Sequence, residues 1–265
     1  MASGALDQSL LPRAFLQPMA HRGLHDAAAF ENTMPAFVAA IAAGFGIECD
    51  VRAAKNGLPV VFHDASVPDG LPFAGRSVST LADSEVENFC YADQTPLLTF
   101  DAFLDLVGGR VPILAELKFD GRPADASFLA ALTEAASRYV GPLAFMSFEP
   151  SPIGDLARLA PDIPRGLVVQ RFDELPGAVE RLGKDEAQRR ARASDFAAVG
   201  ASFVAYELGG LARTPPEELK LPPSACVFAW TVQSAADLVQ AESLSAIPIC
   251  EGEATRLLQT RQSRP

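Results

Sequence analysis

The chain has 265 residues, 49% of them hydrophobic and 21% charged, an ordinary globular composition long enough for one barrel of roughly 250 residues. Its 22 Lys and Arg against 33 Asp and Glu give a net charge of −11. That balance argues against nucleic acid or an anionic membrane surface as partner, since both need clustered cations. A small anionic substrate stays admissible, because a metal ion and a few local cations reverse the field within one pocket.

No linker or charge block divides the sequence, so it reads as a single domain over 1–265. Residues 1–15 include Asp7 and Arg13 and lack a basic start followed by an apolar run, so no secretory leader is expected. The longest uncharged apolar stretch, 34–47, is too short to span a bilayer. Cys49, Cys90, Cys226 and Cys250 lie far apart without paired spacing, and read as free thiols of a cytoplasmic protein. Oligomeric state is not legible.

Along the chain, short β-branched or aromatic runs alternate with Ala/Leu-rich amphipathic stretches, the cadence of βα units around a parallel sheet. Strands are expected at 17–22, 46–51, 111–117, 143–147, 165–170, 202–206, 226–231 and 247–250. Helices are expected at 33–43, 99–107, 124–139, 153–160, 186–199, 216–219, 235–241 and 254–259. The pattern predicts one α/β domain, a (β/α)8 TIM barrel. Capping signals agree: Asn32 or Thr33 with Pro35 in the first turn, Gly44 as a stop, Asp125 or Ser127, and Ser234.

One apolar run, 58–63, falls outside the cadence. It follows 50–55 after Asn56-Gly57, a type I′ hairpin signal. A two-residue loop places Lys55 opposite Leu58 and Asp50 opposite His63, so a β-hairpin would extend the second strand. Residues 65–98, with Pro68, Gly70, Pro72, Gly75 and Pro96, read as a short irregular insertion.

Active sites of such barrels lie at the carboxyl ends of the strands. Falling there are His21 and Arg22, then Glu48 and Asp50 on one face of the second strand, His63 and Asp64, and Glu116 with Lys118. Three carboxylates converging in a dry mouth repel one another unless a cation neutralises them, and an all-oxygen donor set suits Mg2+ or Ca2+ better than zinc. His21 and His63 offer an acid–base pair, Arg22 a fork for phosphate oxygens, and Lys118 a point charge. Among bystanders, His25 reads as a loop residue, Asn32 as a brace, and Glu207 and Glu251 as surface acids. Trp230 is placed beside the substrate, and Phe148 with Phe172 as an apolar lip.

His21-Arg22-Gly23, Glu31-Asn32-Thr33, Glu48-Cys49-Asp50, Asn56-Gly57, Val60 to Asp64 and Glu116-Leu117-Lys118, in that order, resemble the pattern of the glycerophosphodiester phosphodiesterase family. Trp230-Thr231-Val232 is similar to the family's late strand signature, and the likeness spans 20–251. It implies a phospholipase-C-like phosphodiesterase barrel that hydrolyses glycerophosphodiesters to sn-glycerol 3-phosphate and an alcohol. By the same resemblance Glu48, Asp50 and Glu116 are metal ligands, His21 and His63 general acid and base, and Arg22 and Lys118 phosphate contacts. The implied mechanism is two-step. The neighbouring glycerol hydroxyl attacks phosphorus, and water then opens the cyclic phosphate with the histidine roles reversed.

The sequence departs from the pattern at Phe30, where proline is frequent, at Gln233, in the ending Cys250-Glu251-Gly252, and in the shortness of the insertion. These bear on headgroup preference, not on the reaction. The alternatives are a diesterase acting on lysophospholipids and a non-catalytic barrel that binds a phosphorylated ligand.

Overall fold

In the computed structural model, residues 10–27, 29–119, 125–219 and 221–262 are described. Position 124, where the sequence opens a helix, and residues 1–9 lie outside them.

Eight parallel strands run in the order β1 (Met19–Ala20), β9 (Ile247–Cys250), β8 (Cys226–Val232), β7 (Phe203–Glu207), β6 (Arg165–Val169), β5 (Leu143–Ser147), β4 (Ile113–Lys118) and β2 (Gly46–Ala53). Pairing of Met19 with Gly46 and of Ala20 with Ile47 closes the ring. This is the (β/α)8 barrel expected from the strand–helix alternation. Helices α1 (Met34–Ala42), α3 (Phe100–Val107), α4 (Ala126–Arg138), α5 (Pro150–Leu159), α9 (Ala235–Ser243) and α10 (Gly252–Gln262) fall where amphipathic runs announce them. Among the described residues, no helix is long and apolar enough to cross a membrane.

Local chemistry accounts for the helix ends. The Asp125 carboxylate accepts from the Ser127 amide at 2.8 Å, and the Ser234 hydroxyl accepts from the Asp237 amide at 3.2 Å. Both satisfy amide donors that the first turn leaves free. Thr33 caps α1 by position alone, its hydroxyl donating back to the Phe30 carbonyl at 2.6 Å.

Alternation along the strands sorts the core into two layers. Leu114, Met146, Val168, Phe203, Phe228 and Ile249 point into the barrel, and Leu11 and Phe15 join them ahead of β1. Ile47, Cys49, Val51, Ala115 and Leu117 point outward against Phe37, Phe103, Phe128 and other helix residues. The same parity sends Glu48 and Asp50 inward, and β2 pairs with β4 so that Asp50 lies beside Glu116.

Four expectations change. The sequence's helix over 186–199 stops early: α7 (Lys184–Ala191) gives way to a region of turns, with Ala193 at φ 50, and a helix the sequence did not announce, α6 (Pro176–Leu182), precedes it. A further short helix, α8 (Leu208–Arg213), follows β7 directly, capped by Glu207, and 216–218 is a 3-10 turn. The insertion is less irregular than it reads, since it holds α2 (Asp83–Glu87) and packs Val67, Val78, Leu81, Val86 and Phe89 into an apolar cluster of its own beneath Phe62 and Tyr91.

The fourth change concerns the hairpin register. β3 (Pro59–Val61) pairs antiparallel with β2 as Val51 with Val61 and Ala53 with Pro59, one residue away from the expected register. The connection takes three residues, Lys55–Gly57, and the Ala54 amide donates to the Leu58 carbonyl at 2.8 Å. The loop packs tightly against α4. A Cβ on Gly57, which has φ 81, would meet the Ser127 hydroxyl at 2.2 Å. Asp50 thus faces Phe62, whose amide donates to the Asp50 carbonyl at 3.0 Å, and His63 lies one residue beyond.

Candidate active site

β1 ends in a tight turn with Arg22 at φ 53 and Gly23 at φ 81. A Cβ at Gly23 would come within 2.8 Å of the Ala36 backbone, so only glycine lets the turn press on α1. The turn aims the Arg22 amide at the Glu48 carboxylate, 3.0 Å away, and the guanidinium at Glu31 (2.8 Å) and Asp50 (3.1 Å).

Glu48, Asp50 and Glu116 are all buried, and each offers an oxygen within 4.8 Å of the others. Asn32 fixes the middle one from both sides. It donates to the Asp50 carboxylate at 2.9 Å and accepts from the Asp50 amide at 3.2 Å. Lys118 reaches Asp50 at 2.9 Å and also contacts Glu116.

Charge balance in the cluster is uneven. Burial works against the Asp50 anion, yet Lys118, Arg22 and His63 hold it well below the usual carboxylate range. Burial and the neighbouring Asp50 push Glu48 up to about 8, and burial also raises Glu116. Arg22, shared with Glu31, and Lys118 face the three carboxylates, and the raised pKa of Glu48 favours a proton there. A hard divalent cation would replace that proton, and three oxygen donors fit such an ion.

His21 presents its two nitrogens to different partners. Nδ1 lies 2.6 Å from the Glu251 carboxylate, and Nε2 faces Glu48 at 4.0 Å. Burial disfavours its cation, but Glu251 and Glu48 outweigh that and raise its pKa. Glu251 is itself held by Gln233 at 2.6 Å and by His25 at 3.3 Å. The sequence reading of Glu251 as a surface acid is therefore corrected, while His25 lies in the loop after β1 as expected and is a second partner of Glu251. Glu251 ends β9 one residue after Cys250, whose carbonyl accepts from the His21 amide, and only barrel closure makes β9 and β1 neighbours.

His63 sits on the other flank, its carbonyl held by Arg52 at 2.6 Å and its Nδ1 at 2.8 Å from Asp64. It is close enough to Asp50 and Glu116 to favour both anions. Trp230 spends its indole N–H on the Ala205 carbonyl at 2.8 Å and sets its ring edge-on to Phe148, which in turn meets Phe172. Phe148 and Phe172 line a pocket of about 330 Å3 together with Lys118, Arg181 and Arg190. Glu207 accepts from the Gly209 amide at 2.9 Å, which accounts for it as a helix cap.

The strand ends thus gather an acidic cluster at the barrel mouth, with His21 facing Glu48 and His63 acting on Asp50 and Glu116. Residues 21–250 match the model of the glycerophosphoryl diester phosphodiesterase family, and the chain belongs to that family as a phosphoric diester hydrolase. Among solved structures, an Oleispira antarctica phosphodiesterase in complex with the product sn-glycerol-3-phosphate is 20% identical, with a TM-score of 0.73 over 97% of this chain and all of that one. A putative glycerophosphoryl diester phosphodiesterase from Silicibacter pomeroyi is also 20% identical, with a TM-score of 0.72 over 95% of each chain. One from Agrobacterium tumefaciens is 18% identical, with a TM-score of 0.71 over 93% of this chain and 98% of its own. The comparison with curated proteins found no match.

Proposed function

We propose that the protein hydrolyses glycerophosphodiesters to sn-glycerol 3-phosphate and an alcohol, in one domain, with Mg2+ or Ca2+ held by Glu48, Asp50 and Glu116. The observation that carries this reading is the gathering of those three buried carboxylates, with His21 facing Glu48 and His63 near enough to favour the Asp50 and Glu116 anions. The cation, when bound, supplies positive charge at the phosphoryl oxygens and at the attacking hydroxyl.

The remaining roles fall to side chains. Arg22 and Lys118 draw the phosphodiester anion towards the carboxylate cluster. His21, with Glu251 on its Nδ1, receives a proton at Nε2, and the carboxylate stabilises the imidazolium that forms. His63 exchanges the second proton across the phosphorus. Lysophospholipids as substrates call for a long apolar groove, whereas the pockets at the mouth hold only about 350 and 330 Å3 and set charged side chains among their apolar rings. The four cysteines fit a reducing, cytoplasmic setting.

The test is hydrolysis of a panel of glycerophosphodiesters by the whole chain with each metal and with a chelator. Release of glycerol 3-phosphate that needs the cation, and that His21→Ala and His63→Ala each abolish, supports the reading. Undiminished turnover in chelator would sink it.

A further inference from the structure

On the His63 side of the carboxylate cluster lies a pocket of about 350 Å3. Phe30, Phe62, Tyr91 and Leu71 supply apolar wall, and Asp64 and Asp69 supply charge. None of its described lining residues is Lys or Arg. Phe30 is one of the positions at which the sequence departs from its family, and it is 46% exposed although aromatic. Its ring stacks on Tyr91 with centroids 5.7 Å apart and planes at 21°, and Tyr91 is braced edge-on by Phe89. A large apolar side chain left exposed on a rigid support, beside carboxylates, is the surface that an organic cation recognises through ring quadrupoles and charge.

The pocket across the cluster differs, with Lys118, Arg181 and Arg190 in its wall beside their partners Glu116 and Glu149. Asn32 lines the first pocket and Lys118 the second, and both touch Asp50, so the two pockets adjoin one buried carboxylate. A substrate lying across Asp50 is thereby oriented.

We infer that the pocket of Phe30, Tyr91, Asp64 and Asp69 binds the cationic headgroup of an amino-alcohol diester, of the choline or ethanolamine type, beside His63. This rests on the phosphodiesterase reading and adds the identity of the leaving alcohol. In the first step the glycerol hydroxyl gives its proton to His21 as its oxygen bonds to phosphorus. The bond from phosphorus to the amino-alcohol oxygen breaks, and His63 protonates that oxygen. In the second step His63 takes a proton from water, the hydroxide oxygen bonds to phosphorus, and the ring P–O bond breaks. His21 then returns its proton to the glycerol oxygen. The sum is diester plus water giving glycerol 3-phosphate plus amino alcohol.

The experiment compares kcat/KM of the metal-loaded whole chain for glycerophosphocholine, glycerophosphoethanolamine, glycerophosphoglycerol and glycerophosphoinositol. The two cationic substrates should lead by about tenfold, and Phe30→Ala should bring the ratio of choline to glycerol diester close to one. Calorimetry with choline and with its uncharged isostere 3,3-dimethylbutan-1-ol reads the pocket without catalysis, and choline should bind about tenfold better. Equal binding of the two alcohols, equal turnover of the four diesters, or a ratio unmoved by Phe30→Ala each overturns the assignment. Failure to hydrolyse any diester, with choline still preferred in the calorimeter, overturns the phosphodiesterase reading instead and leaves the cation pocket standing.

Discussion

Glu251 and His21 are 230 residues apart in sequence, yet the Glu251 carboxylate lies 2.6 Å from His21 Nδ1. The contact fixes which imidazole nitrogen is turned towards Glu48 and stabilises the charge that the ring gains on taking a proton. Hydrogen bonds from His21 and then His25 hold Glu251 well below the usual carboxylate range, so it remains an anion across the working pH. Glu251→Gln keeps the shape and removes the charge. Burial then dominates at His21, and its pKa falls. The acid limb of kcat/KM, where His21 must be neutral to accept a proton, should move to lower pH, and kcat should drop on the order of 10²- to 10⁴-fold. A pH–rate profile that keeps its acid limb in place would mean that Glu251 only packs against the ring.

Glu48 carries a second pH dependence with the opposite consequence for folding. Its pKa rises from 4.5 when exposed to about 8 in the folded protein. Between those values the folded chain keeps a proton that the unfolded chain has lost, so the metal-free protein loses stability as pH climbs from about 5 to about 8. A cation must displace the same proton. Metal binding at pH 7 should therefore release about one proton and tighten as pH rises to about 8. Titration calorimetry in two buffers of different ionisation enthalpy counts the proton, and thermal melts with and without Mg2+ follow the stability. A metal affinity independent of pH would place the ion elsewhere.

Asn32 supports the cluster by geometry. It is buried, sits at φ 56, and satisfies both the carboxylate and the amide of Asp50. Asn32→Ala leaves both groups without that partner and forces alanine into left-handed backbone, costing about 2–4 kcal/mol in all. Urea denaturation should show a lower midpoint at unchanged slope, and metal affinity should fall with it. An unaltered midpoint would mean that water replaces the side chain freely.

The barrel was legible because its evidence is local and repeated. Alternating strands such as 143–147 and capped helices such as that after Ser234 declare themselves within a few residues. Glu48, Asp50 and Glu116 were readable too, since parity along β2 and β4 turns them all inward. Glu251 was not, because its meaning depends on ring closure between β9 and β1, and adjacency of first and last strands leaves no trace in spacing. The hairpin register failed for a related reason. Asn56-Gly57 permits a two-residue loop, but the connection takes three residues and packs against Ser127 on α4, a distant contact that local spacing does not carry.

Lys118 admits two roles that a single substitution separates. Its ammonium touches Asp50 and Glu116, and these two carboxylates raise its own pKa despite burial, so it stays charged. If it acts on phosphate, Lys118→Met leaves the carboxylates with one cation fewer. They should then attract Mg2+ or Ca2+ more strongly, while KM for the diester rises and kcat/KM drops about tenfold or more. If it only holds Glu116 in place, metal affinity should fall and KM should stay where it was. The expected result is tighter metal with weaker substrate, because two buried carboxylates stripped of a cation 2.9 Å away gain more from a divalent ion than they lose in positioning. Metal titration and steady-state kinetics on the one variant decide it.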